Sequence, residues 1–417
     1  LTCPHILAKV IPIGNAYVYN ENMKKMVLLL MILSSCSNLT EKPVDYGYLS
    51  YYDAQFDPSQ LAHPKRLPHR DDFIRGVDVS TYEEVIAKGG EFFNEYGESE
   101  HLFSIFKRAG INLIRIRLWN DPVNFHPWNG GYLDLQTVTR IATIAKSYGM
   151  KWLLDFHYSD TWADPGNQTK PNAWKDLSFA NLVKALGDYT FDTMTHFMNL
   201  DLTPDYVQIG NEINNGMLWN DGKIYQNNQT NFTPLIQLLK AGVAAVRSTS
   251  LTTKIIIHLA SSEDQVQFYN FFLTILSAGV DLDIIAGSYY SYWNGSLLDV
   301  KNNFDQLSIQ FEKDILLVET AQAFTLKANP NGINIYGPTQ NLASGYPATI
   351  AGQSQLVYDA LAMMTDIAGG RGLGMVYWEP AWIPIQGENN FTSWANQTFF
   401  TYEGQVIPSL FTFNDVK

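Results

Sequence analysis

The chain is poor in cysteine and poor in positive charge. Its 417 residues hold two cysteines, Cys3 and Cys36, both ahead of the first strand-like segment, so no disulfide is expected to brace the fold. No CxxC pair and no histidine-rich metal motif occurs. Lys and Arg total 28 against 41 Asp and Glu, a formal net charge of −13. That balance argues against nucleic acid and polyanionic ligands and is compatible with a neutral one. No internal repeat or second domain is visible. The first strand-like segment runs into Gly76-Val77-Asp78-Val79-Ser80, which is not a Gly-rich nucleotide loop.

What the chain does have is a hydrophobic fraction of 46%, with 10 Trp and 23 Tyr. Most single aromatics serve a core, but several here sit just past strand ends, where sugar-stacking residues belong. Near the start, Met23-Lys24-Lys25-Met26 leads into the apolar run Val27 to Leu33, too short to span a bilayer. The run ends in Leu33-Ser34-Ser35-Cys36, which resembles a bacterial lipobox. That resemblance implies cleavage before Cys36, its lipidation, and an outer-membrane or cell-surface lipoprotein, because Ser37 rather than Asp follows. The alternative is a plain secretory signal with a chance cysteine. Residues 1–22 are read as outside the natural gene product, 23–35 as signal peptide, 36–70 as tether and lead-in, and 71–417 as the folded domain.

From Phe73 onward apolar runs alternate with amphipathic stretches. The strand candidates are Ile74–Val79, Asn112–Leu118, Lys151–His157, Tyr206–Asn211, Lys254–Leu259, Asp283–Tyr289, Ile315–Glu319 and Leu373–Trp378. Helical periodicity marks His101–Ala109, Leu135–Tyr148, Phe179–Met198, Pro234–Ser248 and Gln353–Ile367. Eight such units predict an α/β fold, a single-domain (β/α)8 TIM barrel. An open doubly wound sheet is the alternative, and it more usually carries a nucleotide loop. Two long loops, Ser159 to Lys175 and Leu326 to Ile350, are expected to wall a groove.

Two of these strands end in glutamate: Tyr206-Val207-Gln208-Ile209-Gly210-Asn211-Glu212 and Ile315-Leu316-Leu317-Val318-Glu319. In a parallel barrel that rim carries the chemistry. Two carboxyl groups facing each other there are equipped to cleave a glycosidic bond, one donating a proton and the other meeting the charge on the sugar. A single strand-end Glu equally serves as a helix cap or rim ion pair; the two together favour chemistry. Asn211, just before Glu212, is placed to hold a sugar 2-hydroxyl.

Strand two reads Arg115-Ile116-Arg117-Leu118-Trp119, and alternation puts Arg115, Arg117 and Trp119 on one face. One arginine is expected to pair with Glu319 and keep it ionised, the other to join Asp155 or Asp78 beneath the site. His157, Asp160 and Trp162, at the end of strand three, read as sugar-binding. His258 on strand five is equally a core residue or a ligand. Strand six offers Tyr289, Tyr290, Tyr292 and Trp293, and a tyrosine there can donate to a nucleophile; strand eight offers Trp378, whose indole can floor a sugar ring.

These segments resemble the endo-β-1,4-galactanases of glycoside hydrolase family 53, within the large clan of (β/α)8 retaining glycosidases. The resemblance rests on Arg75-Gly76-Val77-Asp78-Val79-Ser80, the strand-two segment, Asp155-Phe156-His157-Tyr158-Ser159-Asp160-Thr161-Trp162-Ala163-Asp164-Pro165, Ile209-Gly210-Asn211-Glu212, Val318-Glu319-Thr320 and Tyr377-Trp378-Glu379-Pro380-Ala381-Trp382-Ile383-Pro384. It implies retaining endohydrolysis of neutral β-1,4-galactan, the side chain of pectin, with release of galacto-oligosaccharides. It implies Glu212 as acid/base and Glu319 as nucleophile. Asn211, Asp78, Arg117, Trp119, His157, Asp160, Trp162, His258, Tyr290 and Trp378 then form the expected binding set. No cofactor and no nucleic-acid partner is implied, and a monomer is expected.

One segment departs from the family. Bacterial members often carry an Asp-rich calcium loop after strand seven. Here Ala328-Asn329-Pro330-Asn331-Gly332-Ile333-Asn334 has no carboxylate, so a weak site of amide and backbone oxygens is all that stays open. The cysteines of some other members are also missing, so packing alone is expected to hold this loop. Two other functional readings remain: a glycan-binding barrel without turnover, and the same chemistry on mannan or cellulose.

Overall fold

The computed structural model describes residues 43–63, 67–122 and 131–416. The lipobox, Cys36 and the start of the tether lie outside the described residues. Eight parallel strands close a barrel in sequence order. They are β1 (Ile74–Asp78), β2 (Leu113–Leu118), β3 (Lys151–Phe156), β4 (Tyr206–Ile209), β5 (Lys254–Leu259), β6 (Ile284–Ser288), β7 (Asp314–Glu319) and β8 (Gly372–Tyr377). Among the described residues, two short helices, Tyr82–Ala87 and Pro338–Ala343, accompany seven that pack around the barrel: α1 (Leu102–Arg108), α2 (Leu135–Ser147), α3 (Phe179–Asn199), α4 (Thr233–Thr249), α5 (Gln265–Ser277), α6 (Leu297–Phe311) and α7 (Ile350–Thr365).

Local chemistry sets these helix starts. Asp134, Asp264, Ser296 and Thr349 each accept a backbone N–H of the first turn of α2, α5, α6 and α7, satisfying donors that have no partner within the helix. After β8 no α-helix forms among the described residues. A 3₁₀ run, Pro408–Asp415, lies against α7 instead, tied by Ser409 to Gln353 and by Thr412 to Ser354.

The barrel interior is layered. Ile74, Leu113, Leu153, Tyr206, Ile256, Ile284 and Leu316 fill its lower part. Above them Asp78, Arg115, Asp155, Gln208 and His258 make a fully buried polar layer. A second apolar shell seals strands against helices. Gly374 permits closure: its φ is +130°, and a Cβ there would lie 2.1 Å from the Ile74 carbonyl oxygen.

The compact unit begins at Tyr46, not at residue 71. The expected tether is therefore partly built into the fold. The lead-in forms two 3₁₀ turns, Tyr46–Leu49 and Pro58–Leu61, and it buries Leu49 and, between the turns, Tyr52 against Phe324, Tyr402 and Ile407. The Tyr52 hydroxyl donates to Glu403 at 2.5 Å, and its carbonyl accepts from Thr325. Tyr and Leu in a Pro-rich stretch lack helical periodicity but still supply apolar area.

Candidate active site

The chain turns sharply where strands reach the rim. Gly210 adopts φ +81°, ending β4 earlier than expected, and Glu212 follows at φ +46°. Tyr158, Ser261 and Glu379 also hold left-handed backbone just past β3, β5 and β8. Such conformations cost energy in residues with a Cβ, and they concentrate where side chains must be aimed.

Glu319 ends β7 inside a cage of donors. Arg115 Nη1 donates to its Oε1 at 2.8 Å, and the Tyr290 hydroxyl donates to its Oε2 at 3.0 Å. The same guanidinium serves Asp78 Oδ2 at 2.9 Å, Asp155 Oδ2 at 2.8 Å and Asn211 Oδ1 at 2.8 Å. Arg115 thus fills both roles that the sequence divided between two arginines. Burial raises the Glu319 carboxyl above its ordinary range, and the Arg115 charge opposes that rise.

Among the described residues, no cation bonds to Glu212. Its Oε1 accepts the Ser288 hydroxyl at 2.6 Å. Burial first, and the charge of Glu319 second, push its carboxyl up to about 8. Glu319 therefore ionises first and Glu212 keeps its proton near neutrality. Paired carboxyls with diverging environments mark an acid and a base or nucleophile.

Both glutamates line one cavity of about 450 Å³ at the barrel mouth. Of the expected set, Arg117, His157, Trp162, Asn211, Tyr290 and Trp378 also line it. The Arg117 guanidinium lies 4.5 Å from the Trp162 ring centre and 5.4 Å from that of Trp378, and it donates to Glu379 at 2.6 Å. It fixes two indoles that would face a sugar. His157 Nδ1 accepts from both Trp119 Nε1 and the Ala163 N–H, so its proton sits on Nε2, 3.2 Å from Asp155. Burial holds this imidazole neutral.

Four expected binding residues stay outside the cavity. Trp119 is fully buried and orients His157. Asp78 is spent on the arginines and on Ser80. Asp160 accepts the N–H groups of Asp121 and Asn172 and so clamps the loop after β3. His258 is buried; its Nε2 lies 2.8 Å from Ser288 Oγ and donates there, since that hydroxyl gives its own proton to Glu212. Alternation placed these side chains inward but did not say how deep.

Sequence reasoning missed Ser288 and left Glu379 without a role. Glu379 is buried between Arg117 and Thr81, both at 2.6 Å. Its place directly after Trp378 at a strand end was the available signal. Ser288, a common residue in an apolar run, carried none. Trp293, 52% exposed, and Trp394 complete the aromatic rim. The loop after β7 is held by more than packing: Asn329 Nδ2 donates to the Thr392 carbonyl and Asn331 Nδ2 to that of Ile385. Among the described residues, no group of three or more His, Cys, Asp or Glu side chains could hold a metal ion.

The model of glycosyl hydrolase family 53 matches residues 74–413. An endo-beta-1,4-galactanase of Bacillus subtilis (strain 168) is 32% identical over 378 residues, covering 82% of this chain and 85% of that protein. An arabinogalactan endo-beta-1,4-galactanase of Cellvibrio japonicus (strain Ueda107) is 33% identical over 355 residues, covering 82% and 90%. Among solved structures, the Ignisphaera aggregans GH53 catalytic domain superposes with a TM-score of 0.78 at 39% identity, covering 85% of this chain and 99% of that one.

Proposed function

The chain belongs to glycosyl hydrolase family 53, and from that membership we propose that it hydrolyses internal β-1,4-galactosidic bonds of (arabino)galactan. The products are galacto-oligosaccharides, and the anomeric configuration is retained. The observation that carries this reading is the asymmetry of the two carboxyls: Glu319 is caged by a cation and a phenol, Glu212 by a hydroxyl alone.

Glu319 attacks the anomeric carbon as Glu212 gives its proton to the departing glycosidic oxygen. A glycosyl ester on Glu319 results, and the shortened chain with the free 4-hydroxyl leaves. Glu212, now ionised, takes a proton from water, whose oxygen attacks the same carbon and releases Glu319. Arg115 and the Tyr290 hydroxyl hold Glu319 ionised and aimed. Asn211 is the amide for the 2-hydroxyl, while Trp162 and Trp378 offer apolar faces to the sugar.

Incubation with linear β-1,4-galactan, with mannan and cellulose as controls, tests the reading. Mixed oligosaccharides from galactan alone, with β-anomer first by proton NMR, are expected. Release from another glycan only would overturn the specificity. Lipidation at Cys36 and outer-membrane placement belong to the same proposal, supported by the Leu33-Ser34-Ser35-Cys36 motif, and a monomeric state is proposed beside them. Labelled fatty acid incorporated into wild type but not into Cys36→Ala is the expected result, and sedimentation checks the monomer.

A further inference from the structure

We propose that the loops after β3 and β4 carry a second carbohydrate site that grips the galactan chain beyond the catalytic cavity; this rests on the galactanase reading above. A separate cavity of about 500 Å³ is lined there by Lys170, Phe179, Trp219, Asn220, Asp221 and Gln226. The loop after β4 that supplies most of it is built from two short hairpins, Gly216–Met217 with Gly222–Lys223 and Tyr225–Gln226 with Gln229–Thr230.

The lining has the chemistry of a neutral sugar site. Trp219 and Phe179 supply aromatic surface for the C–H faces of a pyranose, and Asn220 and Gln226 supply amides for its hydroxyls. The two opposite charges cancel: Lys170 Nζ lies 2.6 Å from Asp221 Oδ2. The indole is fixed before any ligand arrives. Its Nε1 donates to the Asn215 carbonyl at 3.0 Å, its backbone N–H donates to Gln168 at 2.7 Å, and Lys223 Nζ sits 4.1 Å from one ring face. A preorganised ring loses little freedom on binding.

One loop walls both cavities. Asp164 and Pro165 line the catalytic one and Lys170 the outer one. Between them stands Gln168, buried, whose side-chain amide donates to the Asp164 carbonyl at 3.1 Å and to that of Asn211 at 2.8 Å. Both loops belong to the Glu212 side of the mouth. Glu212 protonates the departing oxygen, so the outer cavity serves the leaving part of a long chain. A short substrate ends before reaching it.

The test compares linear β-1,4-galactan with an aryl β-1,4-galactobioside, using wild type, Trp219→Ala and Gln226→Arg. The second variant fills the cavity from an exposed position and leaves the indole and its hydrogen bonds in place. Both variants are expected to raise KM for the polymer about threefold to tenfold, the loss of one stacked ring. On the galactobioside kcat and KM should match wild type. Equal losses on both substrates would mean that Trp219 acts only by holding Asn211 through Gln168, and would overturn the site, as would unchanged polymer kinetics. A wild type that leaves galactan uncut while cleaving another polymer would instead overturn the substrate reading, and the galactan site with it.

Discussion

The Ser288 hydroxyl reaches from the end of β6 to the Glu212 carboxyl, in the turn just past β4, with 2.6 Å between oxygens. It accepts from His258, so a neutral imidazole sets its direction. A hydrogen bond to the charged form of a carboxyl lowers its pKa, and this one opposes the rise to about 8. As the proposed acid, Glu212 must be protonated to donate, so activity should fall as pH rises through that value. Ser288→Ala removes the opposing bond. The alkaline limb of kcat/KM should move to higher pH, with kcat reduced because the carboxyl loses its orientation. A pH profile of wild type and variant checks both; a limb shifted to lower pH would contradict the assignment.

The two glutamates should respond differently to leaving-group chemistry. Glu319→Gln removes the proposed nucleophile and should abolish turnover of every substrate. Glu212→Gln should cost about a hundredfold to ten-thousandfold on galactan and much less on an activated aryl galactoside, whose oxygen leaves with little acid help. Steady-state rates on the two substrates decide it, and equal losses would remove the acid role.

The loops after β7 and β8 are joined by amides. Asn329 and Asn331 donate across to Thr392 and Ile385, and Asn331 accepts the Asn390 N–H. Chelation by EDTA should leave both activity and melting temperature unchanged. Asn329→Ala should instead destabilise by about 1–3 kcal/mol, because the buried Thr392 carbonyl loses its donor. Urea melts measure the second effect. A chelator-sensitive wild type would mean that a cation holds these loops.

Glu84, on the short helix Tyr82–Ala87, is buried with one unpartnered oxygen, and burial pushes its carboxyl up to about 7. A carboxyl raised on folding leaves stability intact while both states stay protonated. That stability is lost as pH rises through the folded value. Glu84→Gln should therefore match wild type near about pH 4 and exceed it by roughly 1–3 kcal/mol above about pH 8. Denaturant midpoints at the two pH values test this, and a gain confined to acid would reverse the sign.

The lead-in should matter to stability. Tyr52 is 7% exposed, packed edge-on against Tyr402 at 5.2 Å between ring centres. Tyr52→Ala should cost about 3 kcal/mol, as large buried aromatics do. A thermal melt indistinguishable from wild type would show the segment to be dispensable.

The strands were legible because a parallel barrel buries both faces of each, leaving near-continuous apolar runs that helical stretches interrupt. Tyr206 to Ile209 and Lys254 to Leu259 are examples. Their ends were less so: β4 stops at Ile209 because Gly210 turns with positive φ, which no periodicity reports. The docked lead-in was illegible for a related reason. Leu49 and Tyr52 find their partners in Phe324, Tyr402 and Ile407, far along the chain.

By itself the sequence determined the order of βα units, the rim position of Glu212 and Glu319, and the inward face of Arg115 and Arg117. These follow from local periodicity and the two-residue repeat of a strand. Tertiary structure alone decided depth and partnership. It gave Arg115 to Glu319, set Arg117 between two indoles, and sank Trp119, Asp78, Asp160 and His258 beneath or behind the cavity. It also brought Ser288 onto Glu212. Depth depends on barrel register and partnership on contacts between distant strands, and neither is encoded in the spacing of residues along one strand.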